Sequence, residues 1–307
     1  MPRSLWQPGR WPCGGQGQLG LRAGASVPSL KASYVQEGVL RTIVAASQFL
    51  PVPKDVWANL ATVERHCRLA SRAGAMLVVF PELCLTGYLP PEELVSAVRG
   101  DLSGAAAQLP GIARSLGIDI AVGLPEDLGG GQLGNSMLYF DCNGQLRGTY
   151  RKVHLWATER QWAVPGQELA AFDSSFARIG MWICYDTRFP EVARLLALDG
   201  AALGLVATAW LGPANEWELA LRARALDNGM YVVGSALQGE YGPFSFHGVS
   251  MVVNPHGQVV AAATEGREGV IFAEYDPEVV SAFRARLPLL KDRRTDLFGA
   301  LCRPADW

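Results

Sequence analysis

The chain has 307 residues, 49% hydrophobic and 18% charged, which is enough material for one large α/β core. Its formal charge of −2 leaves no electrostatic footprint for nucleic acid or an anionic membrane, and no apolar run approaches the roughly 18–20 residues that span a bilayer. Six cysteines (Cys13, Cys67, Cys84, Cys142, Cys184, Cys302) stand far apart with no CxxC pair, which argues against a disulfide scaffold and a zinc site. No basic n-region and apolar h-region open the sequence, so a cytoplasmic location is expected.

Residues 1–38 are rich in Gly, Pro and Gln without periodicity and read as a disordered or loosely attached N-terminal extension. From Arg41 onward strands and helices alternate. TIVAASQF (42–49) reads as a strand, and Val56, Leu60, Val63, Cys67 and Ala70 form the apolar stripe of a helix. AMLVVF (75–80) is a continuous apolar run, as expected of a strand covered on both faces. A helix ending near Leu116 is expected to be limited or kinked by Pro110. IDIAVGL (118–124) follows as a strand, and MLYF (137–140) and QLRGTYRK (145–152) form a hairpin around Asn143-Gly144.

The second half repeats the pattern. ARIGMWI (177–183), LGLVATA (203–209), MYVVGSA (230–236) and VIFAEYD (270–276) read as strands. PEVARLLALDG (190–200), EWELALRARALDNG (216–229) and PEVVSAFRARL (277–287) read as helices with Pro at the start or Gly at the end. VSMVVN and QVVAAAT make a second hairpin around Pro255-His256-Gly257. Two β-rich halves interleaved with helices suggest two sheets face to face, covered by helices, in one domain over residues 39–285. Residues 286–307, mixed in charge with aromatics, read as an arm that packs on the domain or on a partner subunit.

Three ionisable residues stand just beyond apolar strands, where ligand sites of α/β sheets gather: Glu82 after AMLVVFP, Lys152 at the end of QLRGTYR, and Cys184 after ARIGMWI. Together they form a set for acyl transfer. The carboxylate takes the thiol's proton, the thiolate attacks a carbonyl, and the ammonium stabilises the oxyanion beside the Tyr185 backbone N–H. Taken singly, each has a plainer reading: a core cysteine, a turn-capping glutamate, a solvated lysine. Cys84, two residues after Glu82, is an alternative thiol without a strand-to-helix turn to present it. His154 would suggest a Cys–His pair on one strand face with Lys152, but no papain-like signature accompanies it. His247 and His256 belong in or near a hairpin.

FPELCLTGY (80–88), GTYRKVHLW (148–156) and GMWICYDTRFPEVAR (180–194) resemble, in order and spacing, the three signature blocks of the nitrilase superfamily, the carbon–nitrogen hydrolases. The similarity continues through TAW (208–210), ARALDNGMYVV (223–233), FHGVSMVVNPHGQVVA (246–261) and KDRRTDLF (291–298). It implies a four-layer αββα sandwich that pairs as a homodimer or higher homo-oligomer, with no metal and no organic cofactor. Glu82 matches the family's general base, Lys152 its oxyanion-stabilising lysine and Cys184 its nucleophile. Glu159 matches a second glutamate that orients the lysine; a solvated turn charge is the competing reading.

True nitrilases usually follow the cysteine with Trp-Glu, whereas Tyr-Asp here resembles the amidase and carbamoylase branches. The expected activity is therefore hydrolysis of a small non-peptide amide through a thioester. An N-carbamoyl amino acid or β-ureido acid hydrolase is the alternative, ahead of a nitrilase or a catalytically silent binding protein. Arg188 either holds a substrate carboxylate, as the matching arginine does in carbamoyl-amino-acid hydrolases, or pairs structurally with Asp186 or Glu191. Tyr88, Trp156 and Trp210 are candidates for lining the pocket.

Overall fold

The computed structural model describes residues 41–303; the extension read over residues 1–38 and the last four residues of the arm lie outside them. The first half runs β1 (Thr42–Gln48), α1 (Val56–Arg72), β2 (Leu77–Val79), α2 (Pro91–Arg99), α3 (Leu102–Ala106), α4 (Leu109–Leu116), β3 (Asp119–Gly129), β4 (Gln132–Phe140) and β5 (Leu146–Arg151). The second half continues with β6 (Phe172–Asp173), β7 (Arg178–Ile183), α5 (Pro190–Leu198), β8 (Leu203–Thr208), α6 (Ala214–Asn228) and β9 (Tyr231–Ala236). It closes with β10 (Gln238–Tyr241), β11 (Phe244–His247), β12 (Met251–Val253), β13 (Val259–Ala262), β14 (Gly269–Tyr275) and α7 (Pro277–Arg286).

Two six-stranded sheets, ordered β14-β1-β2-β3-β4-β5 and β13-β12-β9-β8-β7-β6, form the centre. In each, three parallel strands (β1, β2, β3 and β7, β8, β9) are flanked by antiparallel ones. The sheets face each other, with β1 against β9, β2 against β8, and β4 and β5 against β7. Helices α1 and α4 cover the first sheet and α5 and α6 the second, giving the four layers expected. Double coverage explains why β2 and β8 are buried at every position and, but for Thr208 at the end of β8, carry no polar side chain. The stripe of α1 (Val56, Leu60, Val63, Cys67, Ala70) is buried as its spacing requires, and Asp55 caps the helix by accepting from the Ala58 N–H at 3.0 Å.

Several elements differ from the sequence reading. Pro110 lies in the first turn of α4, where its missing N–H has no role, so it starts that helix and kinks none. The strand read as ending at Leu124 continues to Gly129 and turns through three glycines of positive φ into β4, which begins five residues before MLYF. The β10–β11 hairpin has a periodicity too short to have been read. Strand β14 leaves the second half and pairs antiparallel with β1, Thr42 opposite Tyr275, so the chain's last strand forms an edge of its first sheet. The segment after α7, read as an extended arm, ends in a 3-10 turn (Thr295–Cys302) whose Leu297 and Leu301 are both 64% exposed. Among the described residues, no helix is long and apolar enough to cross a membrane.

Candidate active site

Strand β7 delivers Cys184 through a sharp turn. The cysteine adopts φ 46°, a left-handed conformation that costs a non-glycine residue about 1–3 kcal/mol, and opens a 3-10 turn over Cys184–Arg188. Asp186 holds this turn in place. Its Oδ2 accepts from the Ile183 N–H at 3.2 Å and the Tyr150 hydroxyl at 2.7 Å. Its Oδ1 accepts from the His154 N–H at 2.9 Å and lies 2.8 Å from His154 Nδ1. One buried carboxylate therefore ties the cysteine's turn to the segment that carries Lys152.

Glu82 sits in the turn after β2, fully buried. Its Oε1 accepts from Lys152 Nζ at 2.7 Å and Asn135 Nδ2 at 2.7 Å, and its Oε2 accepts from the Ala209 N–H at 2.7 Å. Three donors make this burial of a carboxylate tolerable. The turn itself lies flat on β3: a Cβ at Gly123 would stand 2.4 Å from Pro81 O and 2.8 Å from Glu82 Cα. Gly123→Ala is accordingly expected to displace Glu82, costing about 1–3 kcal/mol in a urea melt together with a measurable drop in kcat.

Lys152 is fully buried between two carboxylates, with Glu159 Oε1 also 2.7 Å from Nζ. Burial opposes its charge, but Glu82, Cys184 and Glu159 outweigh that and hold its pKa well above the ordinary lysine value. Glu159 occupies a 3-10 turn (Ala157–Gln161). Its Oε2 caps that turn at the Trp156 N–H (2.9 Å), while Oε1 also receives the Tyr88 hydroxyl at 3.3 Å. Its pKa is raised, mainly by burial, with Lys152 pulling the other way and Glu82 adding to the rise.

Burial and the Glu82 carboxylate push the Cys184 thiol's pKa up, and Lys152 only partly offsets them. At rest Cys184 is therefore a thiol, and any attack by its sulfur requires a base at hand. A cleft of about 240 Å³ opens above it, lined by Tyr88, Trp156, Cys184, Tyr185, Arg188 and Trp210, with Lys152 and Glu159 at its floor. Glu82 stands behind, reaching the cleft through Lys152.

The Carbon-nitrogen hydrolase family matches residues 43–285. A Schizosaccharomyces pombe protein bearing the name "Probable nitrilase" is 33% identical over 273 residues, 86% of this chain and 100% of that one. A Danio rerio omega-amidase is 32% identical over 268 residues, 81% and 94% of the two chains. Among solved structures, an amidase from Nesterenkonia sp. superposes with TM-score 0.77 at 30% identity, covering 85% of this chain and 96% of that one. This chain belongs to the carbon–nitrogen hydrolase family. In a Glu-to-Gln variant of the amidase from Nesterenkonia sp. AN1 (TM-score 0.76, 30% identity, 83% and 95% covered), the acetamide moiety of fluoroacetamide is covalently added to the active-site cysteine.

In this carbon–nitrogen hydrolase, Glu82, Lys152, Glu159 and Cys184 come together, and Tyr185, Tyr88, Trp156, Trp210 and Arg188 all reach the same cleft. Arg188 does have an ionic partner, but it is Glu216, at the start of α6, and neither Asp186 nor Glu191. His154 does not share a strand face with Lys152, because β5 ends at Arg151; its ring stacks on Phe189, centroids 3.7 Å apart. Cys84 belongs to the same turn as Glu82 and is fully buried. Sequence reading missed Asn135 and Asp186. The polar pair Asn135-Ser136 inside the apolar β4 was the available signal, hidden because the strand was started at Met137.

Proposed function

We propose that this enzyme hydrolyses the carbon–nitrogen bond of a small, non-peptide amide through a thioester on Cys184. The observation that carries the reading is the buried Glu82–Lys152–Glu159 network beside a thiol raised on a left-handed turn. Glu82 takes the Cys184 proton as sulfur attacks the carbonyl, and the new oxyanion is met by Lys152 Nζ and the Tyr185 N–H. That N–H lies in the first turn of a helix, where backbone donors have no intrahelical acceptor. As the C–N bond breaks, the proton passes from Glu82 to the leaving nitrogen, which departs as ammonia or an amine. Water then gives a proton to Glu82 and attacks the thioester; the acid leaves and sulfur is reprotonated. Glu159 orients Lys152 throughout. The cleft is smaller than the roughly 300–1,000 Å³ of drug-sized sites, which suits a short acyl chain and excludes a folded peptide segment.

Arg188 on the cleft wall favours acyl chains that end in a carboxylate, and the N-carbamoyl amino acid reading shares that feature. Ammonia release from short aliphatic amides, carboxylate-ended amides, N-carbamoyl amino acids and nitriles separates these classes. Added hydroxylamine should divert product to the hydroxamate, as a common acyl-enzyme demands. Ammonia release with no hydroxamate from any amide would contradict the thioester route.

The domain is taken as residues 39–285, supported by the extent of the family match. Association into a homodimer or larger homo-oligomer is supported by exposed Leu195 and Leu198 on α5, Leu219 and Leu226 on α6, and Leu297 and Leu301 in the C-terminal segment. A reducing, cytoplasmic setting is supported by the free thiols of Cys67, Cys84, Cys142, Cys184 and Cys302.

A further inference from the structure

Three polar atoms converge over one glycine on the cleft wall. A Cβ at Gly212 would stand 3.0 Å from Trp210 Nε1, 3.1 Å from Arg188 Nη2 and 3.3 Å from Glu216 Oε2. Gly212 itself lines the cleft, and the Arg188 guanidinium lies over the Trp210 ring, 4.5 Å from its centroid. Trp210 is 5% exposed, and its indole N–H is buried without a hydrogen-bond partner among the described residues. Buried donors are ordinarily satisfied, so this one marks a place where an acceptor belongs. Two donors therefore flank a niche over Gly212 with room for a single oxygen atom, which would stand within hydrogen-bonding distance of both. One carboxylate already reaches it: Glu216 Oε2, 2.5 Å from Arg188 Nη2.

We infer that Glu216 is a specificity-determining residue of this cleft, a resident counterion of Arg188 with which the distal carboxylate of the substrate competes. The inference rests on the reading that Arg188 receives such a carboxylate. Glu216 touches neither the thiol nor the amide and acts through Arg188. Both partners of the pair are 44% exposed, and ion pairs in that setting are weak and readily exchanged. A substrate anion inside the cleft gains the indole N–H as well. Glu216 thereby sets a threshold: uncharged acyl chains pass without disturbing the pair, whereas anionic ones must displace it.

Two variants pull this apart in opposite directions. Glu216→Gln keeps the shape and removes the competing charge, while Gly212→Ala fills the niche with a methyl. The first readout is calorimetric binding of glutarate to the intact protein, which needs no turnover. Glu216→Gln should bind it about two- to fivefold more tightly, the range an exposed pair's energy allows, and Gly212→Ala more weakly than the unaltered chain. The second readout is the ratio of kcat/KM for a carboxylate-ended amide to that for an uncharged amide of equal length. Glu216→Gln should raise it through KM, with little change in kcat, whereas a merely structural role would move both substrates alike. Unchanged or weaker glutarate binding in Glu216→Gln, or a ratio that does not move, overturns the inference. Tighter glutarate binding by a chain that releases no ammonia from any amide would support the niche and refute the amidase reading separately.

Discussion

Cys184→Ala is expected to lower amide turnover by on the order of 10⁴-fold or more, the scale on which loss of a nucleophile is felt, while the far-ultraviolet spectrum stays unchanged. Nothing in the turn depends on sulfur. The φ of 46° is imposed by Asp186, which anchors Ile183, Tyr150 and His154 around it, and alanine tolerates the same backbone no worse than cysteine. A variant that retained substantial activity would remove the thioester from the mechanism. The same substitution has a signature in stability. The native thiol's pKa is raised, so between about pH 8.5, where an unfolded cysteine ionises, and the higher native value, unfolding releases a proton. Stability therefore falls as pH rises through that window. Cys67 and Cys84, whose thiols are raised by burial, contribute in the same sense. Removing the Cys184 thiol should make the decline shallower, which urea midpoints at pH 7 and pH 9.5 would detect.

Lys152→Met should damage both chemistry and fold. Losing the cation at the oxyanion is expected to reduce kcat by about 10²–10³-fold or more. Its removal also leaves Glu82 and Glu159 facing each other with only Asn135 Nδ2 shared between them, 2.7 Å from Glu82 Oε1 and 3.4 Å from Glu159 Oε1. An uncompensated buried charge of this kind costs about 3–5 kcal/mol. The penalty should depend on pH with a definite sign. Glu159 already has a raised pKa, and without the ammonium it rises further above the unfolded value of about 4.3. The native state then holds a proton that the unfolded state has lost, so stability returns as pH falls toward about 5 and is lost as pH rises through the native pKa. Combining Lys152→Met with Glu159→Gln should recover part of the stability and none of the activity. Equal denaturation midpoints at pH 5 and pH 8 for the single variant would contradict the buried-charge account.

The residues proposed to carry the chemistry are legible in the sequence because each stands at the end of a recognisable strand. Glu82 and Cys184 directly follow uncharged apolar runs, LVVFP and IGMWI, and Lys152 ends a strand that a hairpin turn frames, so their types and places stand out in the sequence. Glu159 lacked such a frame. Its carboxylate caps its own 3-10 turn as many surface glutamates do, and only the position of Lys152 turns its other oxygen into part of the network. Asn135 was masked by a strand boundary placed five residues too late, at Met137 where β4 begins at Gln132. For Arg188 the right question was visible but the wrong partners were weighed, because Glu216 lies 28 residues away on another helix and meets it only through the packing of α6.

Alternating strand and helix signals, the two hairpins and the order of the catalytic blocks are properties of local sequence, since hydrophobic period, turn residues and the capacity of each side chain for proton transfer are fixed within a few residues. Tertiary structure alone decided that β14 returns to β1, that a glycine at position 123 seats the Glu82 turn, and that Trp210, Arg188 and Glu216 converge over Gly212. Such facts depend on distances between segments remote in the chain, and no local pattern encodes a distance. The same is true of the thiol's raised pKa, which arises from burial and the field of a glutamate 102 positions earlier in the numbering, between Glu82 and Cys184.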